Sequence, residues 1–279
     1  MPLSQSEIEQ QESIIPSLNT PHKLFDRSGP EPLDYLEKLK KTFSQSLLPE
    51  AYLAEKQADA HALLESYQST YLENEIRREN LVRDIGSFQR FLTLAASEDT
   101  TIVNHTAQAK VLGLSPPTIQ NYYDILEDTF IITQLPAYSG SLRVQTSKSP
   151  KIYFADAGLA RFIAGERGEI EPATRKFGNL LESFVLEEIK KQIEYHQLPW
   201  KLFYLRTKTN VEVDLIIQTP GATIATEIKS SKKVDHQDIL PLKKLIQWDS
   251  SIKFGLIFSM DPRVGEIAPK IFNLPVWNL

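Results

Sequence analysis

The sequence predicts an α/β protein with a helix-rich N-terminal half, and two patterns carry that reading. From residue 174 onward a helical stretch is followed by three β-rich runs, a second helix and another β-rich run. Before it, apolar residues recur mostly at three- and four-residue spacing, the period of an amphipathic helix. With 279 residues, 41% of them hydrophobic and 24% charged, the chain can build two or three compact domains.

Residues 1–83 form the helical segment. Its main stretches are "EPLDYLEKLKKTFSQ" and "AEKQADAHALLESYQSTYLENEIRREN", punctuated by Pro30, Pro32 and Pro49. Residues 1–80 hold 14 acids against 8 Lys and Arg; the whole chain is at −5, so the remainder sits near +1. That balance argues against coating nucleic acid by bulk charge. With no cysteine, neither a disulfide framework nor a thiolate metal site can form, which fits a cytoplasmic protein. No secretory leader pattern and no apolar run of roughly 18 residues occur, so no membrane partner is expected. None of the 11 glycines precedes a lysine, so the phosphate loop G-x-x-x-x-G-K-[ST] is absent and no ATP site is expected in this chain.

Residues 84–155 give three short helical patterns, "DIGSFQRFLTLAAS", "HTAQAKVLGLS" and "SPPTIQNYYDILEDTF", then β-rich "FIITQLPAYS" and "KSPKIYF" around a polar stretch. Three helices and a two-stranded wing describe a winged helix-turn-helix. Ser115 is placed to cap the third helix, with Pro116 at its first position. Gln120 and Asn121 on that helix have the chemistry to read base edges, yet Asp124, Glu127 and Asp128 accompany them without a Lys or Arg. Nucleic-acid contact and protein contact therefore both remain open for this helix.

Residues 156–279 form the α/β domain, whose charges concentrate in "VEVDLIIQTPGATIATEIKSS". A hairpin turning at Pro220-Gly221 sets Asp214 opposite Glu227 and Glu212 opposite Lys229, all on one face. Two carboxylates so close repel unless a proton or cation lies between them, and Mg²⁺, or Mn²⁺ in its place, suits an all-oxygen pair. Asp followed by Glu-x-Lys is what a metal-dependent phosphodiesterase needs, with the lysine orienting water or meeting charge on phosphorus. The same four charges also suit a surface salt-bridge ladder of little energetic weight. On the preceding helix, Glu182 and Glu188 both fall at or within the apolar stripe, and periodicity alone does not separate them. Arg206, Lys208, Lys232 and Lys233 flank the acids and are candidate phosphate contacts.

Several linked motifs in order, "RDIGSFQRFLTLAAS", "SPPTIQNYYDILEDTFIITQLPAYS", "KSPKIYFADAGLARFI", "FGNLLESFVLEEI", "LRTKTNVEVDLII" and "TEIKSS", resemble the C-terminal region of bacterial and archaeal AAA-type ATPases with a DUF4143 domain. The resemblance implies a winged-helix element and a PD-(D/E)XK, restriction-endonuclease-like mixed sheet flanked by helices. It implies Glu182 as the helix acid in preference to Glu188, with Asp214 and Glu227 completing the metal set and Lys229 as the catalytic-position lysine. It further implies that residues 1–83 are a remnant of the ATPase lid region. A separate AAA-type ATPase is then an expected partner, beside DNA or RNA. Two functions follow as expectations: a Mg²⁺-dependent nucleic-acid hydrolase, or an inactive DNA-binding or partner-docking module.

Overall fold

The computed structural model describes residues 2–9, 15–18, 32–72, 82, 84–140, 148–209 and 211–279. Pro30, the end of the long helical stretch at 73–80 and most of the polar stretch between the expected wing strands lie outside the described residues. By contacts the chain forms two compact units, one of Met1–Leu3, Lys38–Gln134 and Ile152–Ile170, the other of Ser4–Glu37, Leu135–Lys151 and Glu171–Leu279.

The first unit is helical. It takes the C-terminal part of α2 (Pro32–Gln45), then α3 (Pro49–Leu53) and α4 (Gln57–Ser66), which runs on into a π turn at Tyr67–Leu72. Three helices follow: α5 (Ile85–Ser97), α6 (His105–Leu112) and α7 (Pro116–Asp128). Each start is set by a side chain that accepts an otherwise unpaired backbone N–H: Asp84 from Ser87, Asn104 from Ala107, and Ser115 from Thr118. Gly113, left-handed at φ 69°, ends α6 and lets the chain turn directly into α7. The faces these caps orient bury Phe88, Phe91, Tyr122 and Tyr123, with the Phe91 and Tyr123 rings edge-to-face at 4.8 Å. Ala60 and Leu64 share that core, so helices on both sides of residue 83 pack together.

Strands β1 (Ile132–Leu135) and β2 (Lys151–Phe154) form a two-stranded sheet, and α8 (Ala157–Ile163) follows. Asp156 caps α8 through Leu159 N–H at 2.6 Å and also accepts the Leu47 N–H at 2.6 Å. That pair of hydrogen bonds draws Gly158 onto the backbone of Ser46, where an added Cβ would lie 2.6 Å from the Ser46 nitrogen.

The second unit holds a six-stranded mixed sheet in the order β3-β4-β5-β6-β8-β7. The strands are β3 (Lys201–Arg206), β4 (Glu212–Gln218), β5 (Thr223–Lys229), β6 (Ile252–Ser259), β7 (Gly265–Ala268) and β8 (Ile271–Pro275). Pairing is antiparallel from β3 to β5, parallel from β5 through β6 to β8, and antiparallel again to β7. Two helices accompany it: α9 (Arg175–Tyr195), capped by Thr174, and α10 (Leu240–Trp248). Successive residues Thr223 to Ile228 of β5 are all buried, so both faces of the sheet centre are covered. On one face Leu242 and Leu245 of α10 pack with Leu205, Val213, Ala225, Ile257 and Ile271. Gly255 admits α10 that closely, since a Cβ there would sit 3.0 Å from Leu242.

The mixed α/β architecture and the strands of the charged hairpin agree with expectation. β7 and β8 were not anticipated, and β8 lies inside the sheet, fully buried. α1 (Gln5–Glu9) docks through its first turn, where the Gln5 N–H donates to Glu188 at 2.9 Å.

The junction at Gly158 has a measurable consequence. Gly158→Ala forces a methyl against backbone rather than a movable side chain, so it is expected to cost about 1–3 kcal/mol. Urea denaturation checks this, and an unchanged midpoint would refute the packing described.

Candidate functional site

The hairpin register is the expected one over Leu215 to Gln218, which pair with Thr226 to Thr223. The turn is tied by Thr219, whose N–H and hydroxyl both donate to the Ala222 carbonyl at 2.9 Å. Beyond Leu215 and Thr226 the ladder stops. The Asp214 carboxylate there accepts the Ile228 N–H at 2.8 Å, taking a backbone donor away from the strand pairing.

This exchange builds the site. Lys229 Nζ lies 2.5 Å from Glu227 Oε2 and 3.8 Å from Asp214 Oδ2. Glu227 is 2% exposed, so a surface salt-bridge ladder does not describe it. The expected pairing of Glu212 with Lys229 is corrected: where the ladder ends, Lys229 turns to Glu227 and Asp214. Glu212 instead lies 3.8 Å from its cross-strand neighbour Arg206 and 3.5 Å from Lys151.

Lys151 was not singled out by sequence reasoning, yet it is central. Its side chain is 4% exposed and its Nζ donates to Glu182 Oε1 at 2.6 Å. The sheet edge places it: Ala137 bridges to Tyr204 of β3, and the Tyr204 hydroxyl donates to the Ser149 carbonyl two residues before Lys151. A lysine inside a β-rich run, "KIYF", was the available signal; without its acidic partners it reads as a strand-end lysine.

Burial opposes the charge of Lys151, but Glu182, Asp214 and Glu212 outweigh it and hold the ammonium firmly protonated. Lys229 is likewise opposed by burial and held protonated by Asp214 and Glu227. Glu227 differs: burial first, then the Asp214 charge, push its carboxyl well above the ordinary range against the pull of Lys229.

The helix acids separate cleanly. Glu188 is buried and accepts from Gln5 N–H and the Gln192 amide, which makes it the anchor of α1. Glu182 joins the cluster through Lys151 and adds to the field on Glu227. Arg206, the last residue of β3, and Lys208, Lys232 and Lys233 just beyond β3 and β5 are exposed at the same end of the sheet as the acids. Gln120 and Asn121 are exposed on α7 in the other unit, with Asp124 and Glu127 engaged by the Gln134 amide.

A hard divalent cation fits part of this set. Glu227 Oε1 is buried and lacks a hydrogen-bond partner, and both contacts of Asp214 fall on Oδ2, leaving Oδ1 as a second oxygen donor. Glu182 spends Oε1 on Lys151, and among the described residues no three acids or histidines converge as a metal-binding group.

Residues 36–169 match the family model "Domain of unknown function (DUF8612)", and residues 177–277 match "Domain of unknown function (DUF4143)". A DUF4143 domain is thus present and contains Glu182, Asp214, Glu227 and Lys229, whereas Lys151 falls within the first match. The chain resembles the uncharacterized proteins Rv2008c of Mycobacterium tuberculosis and Mb2031c of Mycobacterium bovis, each 28% identical over 184 residues. These alignments cover 65% of this chain and 41% of each relative, so the chain spans about two fifths of their length. Among solved structures, Can2 from Sulfobacillus thermosulfidooxidans in complex with cyclic tetra-adenylate is 14% identical, covering 77% of this chain and 52% of its own. Its TM-score of 0.25 carries no argument about fold or ligand. No helix among the described residues is long and apolar enough to cross a membrane.

The raised pKa of Glu227 is a stability cost of known sign. The folded chain holds its proton over a pH interval where the unfolded chain has released it, so stability falls as pH rises through that interval. Glu227→Gln removes the cost. In chelator, the variant is expected to melt above the parent at about pH 8, with the gap narrowing toward the ordinary glutamate pKa of 4.5. A variant less stable at alkaline pH, or a gap independent of pH, would contradict the assignment.

Proposed function

We propose that the second unit is a divalent-cation-dependent hydrolase of nucleic-acid phosphodiesters, with a PD-(D/E)XK-type site. The observation that carries this reading is the buried, unpartnered Oε1 of Glu227 beside Asp214, with Lys229 across both. Supporting it is the element order: helix α9, antiparallel β3 to β5, helix α10, then β6 parallel to β5.

Asp214 and Glu227 would hold Mg²⁺ or Mn²⁺, which when bound polarises a phosphate oxygen and lowers the pKa of a bound water. Lys229, protonated and partly exposed, orients the attacking water and meets the negative charge that develops on phosphorus. Glu182 shapes the field and is held in place by Lys151. Arg206, Lys208, Lys232 and Lys233 would receive the backbone phosphates of DNA or RNA at the same end of the sheet. In the first unit, α6, the Gly113 turn, α7 and the β1–β2 sheet support a winged helix-turn-helix reading. Gln120 and Asn121 are its candidate base contacts, although the acids beside them suit a protein partner better.

A second reading is favoured by the Lys151–Glu182 pair, which neutralises one of the three acids without a metal. On that reading the unit is an inactive DNA-binding or docking platform, with a separate AAA-type ATPase as partner and a cytoplasmic setting.

Cleavage assays on single- and double-stranded DNA and RNA decide between them. With Mg²⁺ or Mn²⁺ the parent should cut at least one substrate, and Asp214→Asn should lose on the order of 100-fold or more while melting normally. Replacing Arg206, Lys208, Lys232 and Lys233 together by alanine should weaken binding across sequences and flatten its salt dependence. Salt-sensitive binding with no cleavage in either metal would overturn catalysis and leave the docking platform.

A further inference from the structure

We infer that Lys151 is a built-in cation that occupies the place of a second metal ion, so that the site takes one divalent ion, between Asp214 and Glu227. The inference rests on the metal site proposed above and adds its stoichiometry. Glu182 and Asp214 both add to the field on Glu227 at this end of the sheet, although among the described residues no three acids converge on one metal position. Spread out in this way, the carboxylates call for positive charge on either side of Asp214. Here the Glu182 side is already filled, because the Lys151 ammonium lies 2.6 Å from Glu182 Oε1 and within electrostatic reach of Asp214. Glu212, at 3.5 Å, adds a further carboxylate to the same ammonium. The Asp214 and Glu227 side is served differently, since Lys229 reaches only Oε2 of Glu227 and leaves Oε1 buried and unsatisfied. One half of the cluster therefore carries its own counter-charge, and the other half still lacks one.

The backbone makes Lys151 a fixture rather than a passing contact. It opens β2, its side chain is 4% exposed, and the segment leading into it is tied to β3 through Tyr204 and Ser149. Lysine suits the role because a buried ammonium with three donors can satisfy several carboxylate oxygens and cannot exchange with solvent ions. Any hydrolysis would then use the single ion together with Lys229, and not a symmetric pair of metals.

Mn²⁺ binding to the full chain, counted by calorimetry and by the paramagnetic signal of free Mn²⁺, tests this without reference to activity. The parent is expected to bind one ion at the site and Lys151→Ala two, with Lys151→Met as an isosteric second variant should alanine fail to fold. Glu182→Gln gives an independent check: the count should stay at one ion, because Glu182 holds Lys151 and not the metal. One ion in both parent and Lys151 variant overturns the inference while leaving the proposed metal site intact, as would two ions in the parent. No ion in the parent but one in the variant overturns the one-ion inference together with the metal-dependent reading. No ion in any of them overturns both, and loss of the bound ion in Glu182→Gln overturns the inference by itself.

Discussion

A carboxyl buried against a second carboxyl is the constraint on which the second unit turns. Glu227 lies in the middle of the sheet, on a strand covered on both faces, and its neighbour across the hairpin is Asp214. Such an arrangement is unfavourable unless something positive is near. Lys229 supplies part of that charge and Asp214 is fixed by a backbone N–H, yet one oxygen of Glu227 remains without a partner. Local geometry follows from this conflict. The strand ladder ends at Leu215, the Ile228 N–H passes to a side chain, and the ends of β4 and β5 are freed to present charges.

Two lysines divide the work of holding the acids. Lys229 comes from the hairpin itself, within two residues of Glu227. Lys151 arrives from β2, far away in sequence, and takes Glu182 and Glu212. Burial weakens both ammonium groups taken alone, and in each case the carboxylates outweigh it. The cluster is therefore coupled throughout, and changing one member alters the field at the others. Retaining a carboxyl whose ionisation costs stability is the pattern expected at a site selected for chemistry or binding.

Local patterns in the sequence were sufficient for much of this. Alternation and the Pro220-Gly221 turn gave the hairpin register, because a period of two leaves only one face for the charges. Ser115 and Pro116 likewise marked the start of α7. What escaped were features set by distant contacts. Lys151 depends on Tyr204 holding Ser149, and nothing near it in sequence discloses its acidic partners. Periodicity sets Glu182 at the edge of the apolar stripe and Glu188 within it without choosing between them, and only the pairing of Lys151 with Glu182 and the docking of α1 onto Glu188 tell them apart. β7 and β8 are short and end near prolines, so their strand character comes from pairing, β8 with β6 and β7 with β8, rather than from a long alternating run. The end of the ladder at Asp214 is a side-chain effect that strand arithmetic does not contain.

The central claim is that Asp214 and Glu227 together hold a divalent cation. A crystal of the full chain soaked in Mn²⁺, with anomalous scattering recorded for the metal, tests it most directly. The account predicts one anomalous peak bonded to Glu227 Oε1 and an Asp214 oxygen, with Lys151 still on Glu182. A fully soaked crystal with no peak there, or with the ion on Glu182 in place of Lys151, would contradict it.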